Sequence, residues 1–375
     1  MGKPRLPDVE KQEMLDLPML LLTLLLTALG LVMIYSSSFA RALYESGDSA
    51  YYFKRQGIFA LVGTAAMLAI SRVRPELIRK MAFPVLGVSI LFLILVFVPG
   101  IGRAENGATR WVSLSISFQP SEVAKLGVIL SFAAMITRFG ENMETFRWGI
   151  APFAGILAVI VVLLRLEPHN SAIVIIACTA GAMLFLGGVK YRWFILGGCA
   201  MLLGLILILG AGGYEASRIT AWQDPFSDPT DDGYQIIQSL YAIGSGGLFG
   251  LGFGQGRQKY LYLPEEHNDY IFSIACEELG LTGAAAILLL YALLILRGYW
   301  ISMHIRDRFL SLTVAGITTL TALQVFFNIG VVTNLLPSTG ISLPFFSYGG
   351  TALLIQLGEM GIILGASRQC SAGFL

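Results

Sequence analysis

From residue 17 onward the chain is a succession of apolar runs parted by polar connections. Each run is close to the roughly 20 residues that a helix needs to cross a bilayer. The runs are continuous rather than alternating, which argues against an outer-membrane barrel and for helices, whose backbone groups are satisfied internally. Only 13% of the residues are charged and 55% are hydrophobic, against about 25% charged in soluble domains. The chain is expected to be an all-α polytopic membrane protein. Ten spans are expected, at residues 17–36, 57–73, 81–100, 120–138, 149–165, 171–188, 192–213, 269–296, 308–333 and 348–367. They form one domain, 1–375, with a tail at 1–16 and a long outer loop at 214–266 between spans seven and eight.

The first run is too long for a signal-peptide core and reads as a retained span. Cys178, Cys199, Cys276 and Cys370 are scattered and show neither a disulfide framework nor zinc spacing. A net charge of +1 says nothing about nucleic acid, and none is expected as a partner.

An even number of spans puts both termini on one side, and the basic residues decide which. The termini and even-numbered connections carry 15 of the 25 lysines and arginines and the odd-numbered connections nine, with Lys125 inside a span. Arg72, Arg74, Arg79, Lys80, Arg297, Arg306 and Arg308 are the clearest inside markers. Arg41, Lys54 and Arg55, in the first outer connection, point weakly the other way. Both termini are therefore expected in the cytoplasm, and any chemistry at the outer face, where the substantial connections 101–119 and 214–266 lie.

The 214–266 loop opens with turn chemistry, Trp222-Gln-Asp-Pro-Phe-Ser-Asp-Pro-Thr-Asp-Asp-Gly233. A short interfacial helix is expected over 234–243, with Ile236, Ile237, Leu240 and Tyr241 on one side. Seven glycines follow between Gly244 and Gly256 without the pattern of a phosphate loop. Then Arg257, Lys259, Glu265, Glu266 and His267 gather just before Asp269, at the seam with the next apolar run. On a helical wheel Ser273, Cys276 and Gly280 fall within about 40° of Asp269 and Glu277 within about 80°. A carboxylate on that boundary suits a general base; it equally suits a helix N-terminus.

Other polar groups stand out. Arg110-Trp111 precedes Gln119-Pro-Ser-Glu122, where Pro120 signals a helix start and Glu122 and Lys125 are spaced to pair. Trp111 suits either an interface anchor or a sugar-stacking face. The uncharged Thr339–Thr351 stretch, which includes Tyr348, implies re-entrant backbone that must be buried in protein or line a cavity. Glu359 lies inside the last span and needs an interior partner. Glu167-Pro-His169-Asn170 suits a ligand site or a plain turn.

Taken together, Arg110-Trp111 with Gln119-Pro-Ser-Glu122, Gly233-Tyr-Gln235, Tyr262-Leu-Pro-Glu-Glu-His-Asn-Asp-Tyr-Ile-Phe272 with Glu277-Glu-Leu-Gly280, and Gly340-Ile-Ser-Leu-Pro-Phe-Phe-Ser-Tyr-Gly-Gly350 resemble the SEDS family (shape, elongation, division and sporulation). The resemblance runs over nearly the whole chain and leans toward its FtsW and SpoVE branch. It implies an inverting peptidoglycan glycosyltransferase that polymerises lipid II into a nascent glycan strand in the bacterial cytoplasmic membrane, beside a class B penicillin-binding protein. The family's catalytic aspartate falls on Asp269 and its Arg-Trp tryptophan on Trp111. Asn268 and Tyr270 depart mildly from the family pattern, Glu266 replaces a usual small residue, and Glu167-Pro-His169 replaces Gln-Pro-Asp.

The reaction so implied asks for a base, Asp269. It also asks for substrate contacts, for which Trp111, Arg110, Arg257, Lys259, Glu266, His267 and Tyr348 are the candidates, and for supporting charges at Glu122, Lys125 and Glu277. No cofactor is required by pattern; a divalent cation, Mg or Mn, is a candidate at the pyrophosphate, with ligands unknown. Two rival readings are a flippase for lipid-linked precursor, which would use Glu122, Lys125, Glu277 and Glu359 along a path, and a scaffold that recruits the transpeptidase.

Overall fold

The computed structural model describes residues 15–105, 108–113, 117–198, 220–229 and 233–370. In chain order its main helices are α1 (Leu17–Ser46), α2 (Tyr51–Ile70), α3 (Pro75–Leu95), α4 (Pro120–Phe139), α5 (Phe146–Leu166), α6 (Asn170–Leu186), α7 (Tyr234–Gly246), α8 (Ile271–His304), α9 (Arg308–Val332) and α10 (Gly350–Ser367). Eight of these are long and apolar enough to span a membrane, and α6 is a shorter apolar helix. The expected span at 192–213 is helical over 191–198 and lies otherwise outside the described residues. The polytopic helical architecture is as expected.

One addition was not anticipated. Gly102–Glu105, Ala108–Ser113 and Ser117–Phe118 form a small antiparallel sheet, β1-β2-β3, between α3 and α4. Its strands are too short to leave a periodic signal; Val112 is its buried anchor.

Helix α1 outruns the expected span by ten residues, to Ser46. The polar Ser36, Ser37 and Ser38, at and beyond the end of the expected span, are buried against other helices, so their hydroxyls are interior groups rather than solvated ones. Helices reverse direction one after the next from α1 to α6 and again from α8 to α10. The parallel packing of α2 on α10, from Gln56 at Gly349 to Met67 at Gly361, aligns the two series. One end of the bundle therefore collects the C-termini of α1, α3, α5 and α9 with the N-termini of α2, α4, α6, α8 and α10. At the other end Asp16 caps α1, accepting from Met19 N at 2.9 Å and holding Arg297 at 2.6 Å, while Asp307 caps α9 and pairs with Arg79 at 2.8 Å. The most heavily buried spans are α4, α9 and α10. They form the axis of the bundle, and α2, α3 and α5 present most of their apolar surface outward, as lipid-facing helices do.

The glycine-rich segment is explained by a break in α8. Gly280 adopts φ +67°, which splits the helix and leaves carbonyls before the break and amides after it without helical partners. Residues 247–252 supply them: Leu251 N and Gly252 N donate to Glu277 O and Glu278 O at 3.0 Å, while Leu281 N and Thr282 N donate to Gly247 O and Leu248 O at 2.9 and 3.1 Å. The backbones approach so closely that a Cβ on Gly280 would sit 2.2 Å from Gly250 N. Helix α7 packs beside this junction, buried through Ile236, Ile237, Ser239 and Ala242, whereas Tyr241 is exposed; the face is rotated from the one expected.

Candidate functional site

Asp269 lies at the end of the bundle where α1 terminates and α8 begins. It precedes the N-cap residue of α8, Tyr270, so the helix-capping position is not its own. The turn 259–270 carries it, with Leu261 and Glu265 in left-handed conformation at φ +66° and +55°. The turn is pinned through successive carbonyls. Tyr348 N donates to His267 O at 2.9 Å, Ser347 Oγ to Asn268 O at 2.8 Å, and Asn328 Nδ2 to Asp269 O at 2.7 Å. Asn328 Nδ2 also donates to Ile341 O at 2.7 Å, so α9 ties the Asp269 turn to the re-entrant segment.

That segment is buried in protein, as its lack of charge demanded: Ile341, Leu343, Phe345 and Phe346 are core residues. Gln56 on α2 holds Gly349 N and Ser347 O, Gln356 on α10 holds Phe345 N, and Tyr291 on α8 donates to Pro344 O. Gly340, at φ +66°, leaves room for the neighbouring carboxylate: a Cβ there would lie 3.3 Å from Asp269 Oδ2. Asp269 itself is half-buried.

The α5–α6 turn abuts the same segment, since Ser171 Oγ donates to Thr339 O. Arg110, from β2, donates to Pro168 O at 2.6 Å, and Gln119 Nε2 lies 3.5 Å from His169 Nε2. Contacts therefore run unbroken from Arg110 through 168–171 and 339–340 to Asp269. Trp111, half-buried, pairs with Arg103 across β1 and β2.

Glu167 is 1% exposed and neither carboxylate oxygen has a hydrogen-bond partner. Burial pushes it up to about 8, against the opposing pull of Arg110. His169 is driven down to about 3 by burial, with Arg110 and Lys125 adding to the effect. Sequence reasoning noted this turn as a ligand site or a plain turn and, because it departs from the family pattern, kept it out of the candidate site residues.

Other expected site residues are drawn into the frame. Lys259 is 2% exposed, with its ammonium 2.7 Å from Glu278 Oε1, 2.8 Å from Gly254 O and 3.1 Å from Ser36 Oγ. Glu277 accepts from Arg257 N at 2.8 Å and Gln258 N at 3.2 Å, so the two adjacent carboxylates of α8 fasten the glycine-rich loop. The Arg257 side chain is exposed. Glu266 is fully buried on Arg41, which binds it through Nε at 2.7 Å and Nη2 at 2.9 Å. Burial alone would raise that carboxyl, yet His267 and Arg41 together hold it below the usual glutamate range. The His267 ring packs 4.5 Å from Tyr52 and 5.6 Å from Tyr348. Deeper in the bundle Lys125 Nζ pairs with Glu122 Oε1 at 2.7 Å, and Glu359 lies within electrostatic reach of both.

Fold and site together define a polytopic membrane protein with a half-buried aspartate held in a polar cluster at one end of its helical bundle. The chain belongs to the FtsW/RodA/SpoVE family of cell cycle proteins, whose pattern it matches over residues 16–372. It is 40% identical over 354 residues to the stage V sporulation protein E of Bacillus subtilis, covering 94% of this chain and 97% of that one. It is also 40% identical over 364 residues to a probable peptidoglycan glycosyltransferase FtsW of Geobacter metallireducens, covering 96% and 97%. Among solved structures, a chain from a peptidoglycan synthase complex, described as coordinating polymerization and crosslinking, superposes with a TM-score of 0.80 at 27% identity, covering 96% of this chain and 99% of that one. The rod shape determining protein RodA of Thermus thermophilus does so with a TM-score of 0.70 at 27% identity, covering 96% and 98%.

Proposed function

We propose that this protein is a peptidoglycan glycosyltransferase that polymerises lipid II, with Asp269 as the general base. The observation that carries the reading is Asp269 itself, half-buried at the bundle end and fixed through its own carbonyl by Asn328, in a family whose relatives are named for this activity. The acceptor's sugar hydroxyl attacks the anomeric carbon of the donor; the hydroxyl proton passes to Asp269 as the new glycosidic bond forms. The bond to undecaprenyl pyrophosphate breaks in the same displacement, so the anomeric centre inverts and no carboxylate nucleophile is needed.

Arg110 and the exposed Arg257 are the cations best suited to the leaving pyrophosphate. Lys259 is committed to Glu278 and Gly254 and supports the loop that carries Arg257. Among the described residues no group of three His, Cys, Asp or Glu side chains converges. They offer no protein-only site for a divalent ion.

The basic connections lie at the bundle end opposite Asp269, which supports cytoplasmic termini and an extracytoplasmic site in the bacterial cytoplasmic membrane. The structural likeness to a synthase complex supports a crosslinking partner, the class B penicillin-binding protein. The flippase reading loses support because Glu277 fastens a loop and Glu122 and Lys125 neutralise each other.

The test is glycan formation from lipid II by the purified protein with its transpeptidase partner, for wild type and Asp269→Asn. Polymer from wild type alone is expected; equal polymer from both would remove Asp269 from catalysis.

A further inference from the structure

The turn that carries Asp269 is gripped from two sides by different means. On the side of α9 and the re-entrant segment, neutral hydrogen bonds hold the carbonyls of His267, Asn268 and Asp269. On the side of α1 the grip is a charge pair buried on one side: Glu266, with no exposed side-chain surface, meets the half-buried Arg41 through two parallel hydrogen bonds of 2.7 and 2.9 Å. The contacts then close on themselves. Arg41 Nη1 lies 3.5 Å from Glu45 Oε1, Tyr52 OH donates to the other Glu45 oxygen, and the Tyr52 ring packs on His267, the residue after Glu266. Two consecutive residues of the Asp269 turn are thereby fastened to residues 41–52, the junction of α1 and α2.

A buried ion pair is a poor way to gain stability, because desolvating both partners offsets most of their attraction. What it supplies is geometry: a two-point bond between planar groups fixes distance and angle together. Glu266 stands three residues from Asp269, and misplacing a reacting group by about 1 Å costs on the order of 100-fold in rate. A small apolar residue at 266 would leave the turn held from one side only.

We propose that Glu266 is a positioning residue for glycosyl transfer, its pair with Arg41 fixing the reach of Asp269 from the outer end of α1. The proposal rests on the reading of Asp269 as the base. It assigns Glu266 a place behind the reacting groups rather than against the substrate.

The test uses the full chain with its transpeptidase partner and lipid II, and compares wild type, Asp269→Asn, Glu266→Gln, Arg41→Met and the exchanged pair Arg41→Glu with Glu266→Arg. Glu266→Gln and Arg41→Met are each expected to lose 10- to 100-fold in kcat with KM within about twofold of wild type. Arg41→Met, which strands the buried Glu266 carboxylate, is expected to melt well below wild type, and Glu266→Gln, which leaves the partly exposed Arg41 to solvent and Glu45, within a few degrees of it. The exchanged pair is expected to recover at least 10-fold over either single variant. Wild-type kcat in folded single variants would overturn the proposal, as would a loss confined to KM. Single variants that are slow with no recovery in the exchanged pair would also overturn it, by transferring the effect from the pair to Glu266 itself. Loss of activity that follows loss of folded protein would reduce the pair to a structural one. If Asp269→Asn polymerises as well as wild type, the reading of the base fails instead, and the two failures are told apart within one set of measurements.

Discussion

Lys259 Nζ and Glu278 Oε1 meet at 2.7 Å with their side chains 3% and 0% exposed, and Ser36 of α1 bonds to both. A pair this dry is asymmetric in its response to mutation. Removing one partner strands the other charge, at a cost of about 3–5 kcal/mol, whereas replacing both with apolar residues of similar volume is often neutral. Lys259→Met is therefore expected to lower the melting temperature in detergent sharply, and Lys259→Met with Glu278→Leu to restore most of it. Thermal unfolding of the three proteins checks this.

Gly280 carries the break in α8. Alanine there meets an unfavourable backbone conformation, about 1–3 kcal/mol, and a Cβ position 2.2 Å from Gly250 N. Gly280→Ala is expected to destabilise the protein and to expose 247–259, read out as faster proteolysis within that loop than in wild type.

Asn328 joins Asp269 O to Ile341 O from a single amide nitrogen. Asn328→Ala leaves two carbonyls short of a donor, at about 1–3 kcal/mol, and frees the Asp269 turn. The expected result is a 10- to 100-fold fall in kcat for glycan formation, measured on protein that remains folded.

Glu167 supplies a prediction in pH. Its folded carboxyl titrates at about 8, well above an unperturbed glutamate near 4.3, so between those values the folded state holds a proton that the unfolded state has released. Stability is then full below the unfolded value and is lost as pH rises through the folded one. Glu167→Gln, which cannot ionise, is expected to melt several degrees above wild type at pH 8, with the difference closing by about pH 4.5. A constant difference across that range would contradict the assignment.

The apolar runs made the helices legible, because their length and continuity are dictated by the bilayer. The site was legible only as residue types. Arg41 entered the sequence reading as a weak vote against the orientation; its charge is consumed by Glu266, a pairing of residues 225 apart that no local pattern reveals. The expected first span stopped at residue 36, where the apolar run gives way to Ser36, Ser37 and Ser38; polarity in sequence does not distinguish solvent from a buried carboxylate partner such as Glu278. The helical wheel drawn from Asp269 assumed a continuous helix, and the helix starts at Ile271 and breaks at Gly280. It nonetheless placed Ser273, Cys276 and Glu277 inside the bundle, where they are buried.

The interruption at Gly280 has a mechanical consequence. The two backbone hydrogen bonds that an unbroken helix would make here, Leu281 N to Glu277 O and Thr282 N to Glu278 O, are replaced by four that run sideways, from 277–278 and 281–282 into 247–252. The hydrogen-bond ladder that begins after the Asp269 turn therefore ends at Gly280 and does not continue into the rest of α8. The short segment that follows the Asp269 turn, 271–279, is thus joined to two bodies at once, the rest of α8 and the glycine-rich loop that leads to Arg257.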